Sequence, residues 1–114
     1  MAYDVDLAER VRELLADRAH VTEQLMFGGL GFLIEGKMAV AASSRGGLLV
    51  RAEPAQADRL LATTDAQPME MRGRVMRGWL HVDIDSLRTK RQLARWIAVG
   101  TAGAAAARAT GPNR

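Results

Sequence analysis

Residues 26–40, Met-Phe-Gly-Gly-Leu-Gly-Phe-Leu-Ile-Glu-Gly-Lys-Met-Ala-Val, set two glycine turns among three short apolar runs. None of these runs is long enough for a helix. Glu35-Gly36 is a two-residue unit in which glycine can take the positive φ that a tight hairpin requires. The segment therefore predicts antiparallel strands at residues 31–34 and 37–42, and it describes architecture rather than chemistry.

The pattern extends in both directions. Residues 22–27 read as a strand ending at Gly28-Gly29, and Ser43-Ser44-Arg45-Gly46-Gly47 turns the chain into Leu48-Leu49-Val50-Arg51, giving a meander of four strands. Ahead of it, Asp6-Leu7-Ala8-Glu9 has the form of a capping box, with Leu7, Val11, Leu14 and Leu15 on one helical face. Behind it, Pro54 suits the first position of a helix of about two turns that buries Ala57, Leu60 and Leu61. Residues 69–71 and 75–82 have strand character, with Gly73 and Gly78 at turns or bulges. Thr89-Lys90-Arg91-Gln92 is a second capping box, opening a last helix with Leu93, Trp96, Ile97 and Gly100 on its apolar side. The fold expected is a single α+β domain over residues 1–100. Its antiparallel sheet of about six strands packs with N-terminal, middle and C-terminal helices, in the order α-β-β-β-β-α-β-β-α. Residues 101–114 have alanines but no large apolar anchor, so a frayed or disordered tail is expected there.

Composition narrows the function classes. Apolar residues at 48% and charged residues at 25% are ordinary for a soluble globular domain. The absence of cysteine excludes disulfides, thiolate zinc sites and cysteine nucleophiles. Acids near the N-terminus and the lack of any apolar run approaching about 18 residues argue against a signal peptide and a membrane span, so a cytoplasmic location is expected. A formal charge of +3 and a pI near 10.2 permit attraction to nucleic acid or acidic partners. The positive charge is concentrated in two groups: Arg72, Arg74 and Arg77 around one strand turn, and Arg88, Arg91 and Arg95 along one helix face.

Several constellations invite a chemical reading. Gly28-Gly29-Leu30-Gly31 resembles a phosphate-binding loop, but it lacks the following Lys-Ser/Thr pair and the following helix. Gly28, Gly29, Gly31 and Gly36 are therefore read as a structural turn motif. His81 and Asp83, alternate residues of one strand, are the sole histidine–carboxylate pair that could share a strand face, and they carry the alternative of a small hydrolase or transferase. Met26, Met38, Met69, Met71 and Met76 fit either an adaptable peptide groove or core filling. Core filling is the reading adopted, with Trp79 and Trp96 as core anchors. No catalytic residue, cofactor or metal site is expected. The six arginines are the expected contact surface for a protein partner or nucleic acid.

Met26-Phe27-Gly28-Gly29-Leu30-Gly31, followed in order by Gly36-Lys37-Met38, Leu49-Val50-Arg51, Pro68-Met69, Gly78-Trp79 and Leu93-Ala94-Arg95-Trp96-Ile97, resembles the N-terminal domain of the TfoX/Sxy family over about residues 5–100. The resemblance implies a stand-alone α+β domain of bacterial regulators of natural competence, which assist the cyclic-AMP receptor protein at particular promoters. The function expected is a non-enzymatic adaptor contacting the transcription machinery, with nucleic acid as a second partner class. A self-associating module that pairs an exposed sheet edge into a homodimer is a further alternative.

Overall fold

The computed structural model describes residues 3–26 and 28–109. Phe27, read as the end of a strand, and the last five residues of the expected tail lie outside them. The elements are α1 (Val5–Leu14), β1 (Val21–Met26), β2 (Gly29–Ile34), β3 (Lys37–Ala42), β4 (Leu48–Arg51), α2 (Pro54–Thr63), β5 (Gln67–Met71), β6 (Arg74–Val82), a 3-10 turn (Ile84–Ser86) and α3 (Lys90–Ala109). The six strands form one antiparallel sheet in the order β1-β2-β3-β4-β6-β5. Class and element order are those read from the sequence.

Local chemistry explains the element boundaries. Glu35 and Gly36 both have positive φ, 50° and 87°, as a primed two-residue hairpin between β2 and β3 demands. Pro54 occupies the first turn of α2, where its missing N–H costs no hydrogen bond. At α3 the capping box closes reciprocally: the Gln92 N–H donates to Thr89 Oγ1 at 3.0 Å and the Thr89 N–H donates to Gln92 Oε1 at 2.9 Å. The first helix begins earlier than its predicted box. Asp4, not Asp6, is the cap and accepts from the Leu7 N–H at 3.1 Å. That leaves the Asp6 carboxylate in the first turn, where the helix dipole favours it, while Glu9 turns to Arg12 at 3.0 Å.

Strand alternation sorts the core. Phe32, Val40, Val50 and Leu80 stand opposite one another across four strands, and Leu30, Ala42, Leu48 and Val82 form the next such row. All eight side chains are buried in one cluster with Leu7 and Val11 of α1, Leu60 of α2, and Leu93, Trp96 and Ile97 of α3. All three helices therefore pack on one face of the sheet. Arg10 ties α1 to the start of α3 by donating to the Leu87 and Arg88 carbonyls.

Residues 101–109 correct the expectation of a frayed tail, because α3 continues through them. The reason is close packing by small residues rather than a large anchor. A Cβ at Gly100 would lie 2.5 Å from the Ala39 carbonyl oxygen, and one at Gly103 would run into the carbonyl of Arg51. Ala104 is only 2% exposed, and Arg108 pairs with Glu35 at 3.0 Å, joining the last turn to the β2–β3 hairpin.

Two outcomes follow. Alanine is favoured over glycine by about 1 kcal/mol inside an exposed helix, yet Gly103→Ala should destabilise this protein by roughly 1–2 kcal/mol because the obstacle is backbone. A urea midpoint that rises instead would show that α3 does not lie this close to β4. Glu23 of β1 accepts from Arg12 Nε at 2.6 Å and Nη2 at 2.9 Å. The hydrogen bonds from Arg12 hold its carboxyl below the ordinary 4.5, against a smaller opposing effect of burial. A depressed folded-state pKa adds stability above the unfolded value and loses it as pH falls through the folded one. Because both partners are partly solvated, the wild type should exceed Glu23→Gln by only about 0.5 kcal/mol at pH 7. Denaturation at pH 7 and again well below 4.5 should show that margin closing; a constant margin would contradict it.

Candidate interaction site

The face of the sheet turned away from the helices is covered by no described element. Its residues are the alternate positions of the same strands. Gly31, Ala41, Leu49 and His81 form one cross-strand row, and Arg51 faces Trp79 beside it. Ala41 lies in the floor of this face, and the absence of a side chain at Gly31 makes room for two methionines. Met38 and Met26 lean over Gly31, where an added Cβ would lie 2.8 Å from Met38 Sδ and 3.5 Å from Met26 Cε. With Met69 and Met76 further along, they bound a cleft of about 1110 Å³. Met26, Met38, Met69, Met76 and Trp79 thus do not fill the core as expected, and the Met71 side chain lies outside what the structure describes. Trp79 is one residue out of step with the buried Leu80, so it projects to the other side. Trp96 does sit in the core.

Arg51 gives the cleft its electrostatic character. Its guanidinium stacks over the Trp79 ring, 4.7 Å from the centroid, and among the described residues it has no carboxylate partner. Burial lowers its pKa, but a guanidinium stays charged in proteins. Arg45 and Arg72 also line the cleft, against Glu70. His81 Nε2–H donates to the Gly46 carbonyl at 2.8 Å, which holds the ring against the β3–β4 turn. It is not paired with Asp83, which lies beyond the end of β6 as the exposed residue before the 3-10 turn. Among the described residues, no group of three or more His, Asp or Glu side chains could hold a metal ion.

The six arginines are all exposed but do not form one surface. Arg72 lies in the two-residue β5–β6 turn, Arg74 opens β6 and Arg77 follows on it. Arg88 precedes α3, and Arg91 and Arg95 lie on its first turns. Residues 78–82 of β6, at about 3.3 Å each, and the 3-10 turn separate Arg77 from Arg88 along the chain. Arg88 is paired with Asp85 at 2.8 Å, and Arg95 lies over Trp96, 5.9 Å from the ring centroid. Only Arg72 of the six borders the free-face cleft. The glycine motif is likewise architectural in placement: Gly28 sits against the Ser44 side chain, Gly29 lies against the Ala42 carbonyl, and a strand rather than a helix follows.

Sequence reasoning missed Arg51 and Arg45. The signal for Arg51 was present in Leu48-Leu49-Val50-Arg51: once Leu48 and Val50 are assigned to the core, Leu49 and Arg51 must share the opposite face.

The family model of the TfoX N-terminal domain matches residues 13–104, from the end of α1 through Ala104 in α3, so it spans the whole sheet. No curated protein matches the chain. With more than half of its length matched by that model, and with its antiparallel sheet backed by helices, the chain belongs to the TfoX N-terminal domain family.

Proposed function

We propose that this domain is a non-enzymatic adaptor that regulates transcription by holding a protein partner, in the manner the TfoX resemblance implies. The observation that carries this reading is the helix-free face of the sheet. It presents half-buried apolar side chains together with a guanidinium that has no carboxylate partner among the described residues, a combination suited to recognition rather than covalent chemistry. Arg72 at the rim of the cleft adds charge to that contact, and Arg74 and Arg77 supply further cations near it on β6. Arg88, Arg91 and Arg95 supply a second, separate contact to acidic side chains or to nucleic acid phosphates.

A second reading has its own support. The two sheet edges differ: β5 carries Pro68 and a register irregularity, both of which discourage strand addition. At the other edge β1 carries no proline, and its Leu25 is 70% exposed. Pairing of β1 with β1 of a second copy would extend the sheet and leave the cleft free.

Capture from native cell extract, with and without nuclease, tests the adaptor reading. A transcription-related protein should be retained after nuclease treatment and lost or strongly reduced with Trp79→Ala. Simultaneous charge reversal of Arg88, Arg91 and Arg95 should weaken capture only in part. Recovery of nothing specific, or recovery that vanishes with nuclease, would end this reading. Light scattering across a concentration series should show dimers that Leu25→Lys disperses if β1 pairs with itself, and a monomer at every concentration if it does not.

A further inference from the structure

Resting on the adaptor reading, we propose that the free-face cleft receives an amphipathic α-helix of the partner, with its apolar stripe on the methionines and its acidic residues on Arg51, Arg45 and Arg72.

Shape comes first. Ala41 and Leu49 lie in the floor, Met38 and Met26 are seated over Gly31, and the flexible thioethers of Met26, Met38, Met69 and Met76 line the cleft. Methionines suit a surface that must mould to side chains of another chain, because three rotatable bonds and a polarizable sulfur tolerate many shapes. A six-stranded sheet at about 4.8 Å between strands is roughly 24 Å across, the length of a helix of about 16 residues. A helix laid there would bring to this face what α1, α2 and α3 bring to the other.

Charge selects among occupants. Three arginines line the cleft against one glutamate, and Arg51 stacks on the Trp79 ring with no ion-pair partner among the described residues. Desolvating a cation is costly unless a carboxylate meets it, so an incoming helix is required to carry acids. A second copy of this face would set arginines against arginines. The acidic helix of the domain itself, α1, already buries Leu7 and Val11 in its own core. Single-stranded nucleic acid needs successive aromatic platforms, whereas Trp79 already has Arg51 over its ring and Phe32 and Trp96 are buried on the helix side.

The test uses the whole chain and two 16-residue peptides, blocked at both ends. Each has Leu at i, i+3, i+4 and i+7 spacing; one carries Glu on the flanking positions and the other Lys. The acidic peptide should bind at least tenfold more tightly in calorimetry and weaken as salt is raised. It should also shift amide resonances of β3, β4 and β6 on the free face. Arg51→Gln should weaken it tenfold or more, while Arg59→Glu, at an exposed position of α2 on the helix-bearing side, leaves it unchanged. If Arg51→Gln fails to melt cooperatively, Arg45→Gln with Arg72→Gln, both at exposed positions, should show the same loss. Equal binding of the lysine peptide, shifts confined to α3, an oligothymidine that binds in its place, or no binding at all would each overturn the inference. Should the acidic peptide fail while extract capture still depends on Trp79, this inference falls and the adaptor reading stands. Should the peptide bind while no extract partner exists, the cleft chemistry is upheld and the adaptor reading falls.

Discussion

The rest of the structure depends on the near-contact between α3 and the backbone of the sheet. At Gly100 and Gly103 the helix has no side chains between itself and the carbonyls of Ala39 and Arg51. Two helical glycines cost about 2 kcal/mol of helix propensity, and the approach they permit offsets this by letting one 20-residue helix seal β3 and β4. Its earlier turns, with Leu93, Trp96 and Ile97, then reach the same apolar rows that α1 and α2 cover from either side. Because the helices are drawn onto one face, the opposite face is left to side chains alone.

That asymmetry gives each strand two environments. Leu48 and Val50 are fully buried while Leu49 and Arg51, on the same four residues, are half-solvated. The free face is neither a second core nor an ordinary polar surface. It carries thioethers, an indole and a guanidinium whose charge is partly stripped of water. Stacking on Trp79 relieves part of that loss, but a ring quadrupole is a weaker partner than a carboxylate. Under the proposed adaptor function, recognition would centre on the middle of the sheet, with the exposed arginines at its ends orienting a partner rather than anchoring it.

How much was legible varies with the range of the interaction involved. Elements set by local chemistry were readable: the Glu35-Gly36 hairpin, Pro54 at the start of α2 and the Thr89–Gln92 capping box each need only neighbours within a few residues. The start of α1 was misplaced by a short distance because Asp4 and Asp6 both offer a suitable oxygen, and the choice rests on which leaves a carboxylate in the first turn. Residues 101–109 were misread because a helix without large apolar residues lacks an evident anchor. Its anchor is the absence of side chains, which has meaning only opposite another backbone. The methionines and Trp79 were assigned to the core because hydrophobicity does not reveal on which face of a sheet a residue falls.

The sequence by itself determined the fold class, the order of elements and the family, since turn glycines, caps and the period of apolar residues act over short spans. Tertiary structure alone decided that all three helices cover one face, that Arg51 meets Trp79 across β4 and β6, and that the two arginine groups lie apart. These outcomes depend on strand register and on parity across paired strands, where one residue of displacement exchanges core for surface.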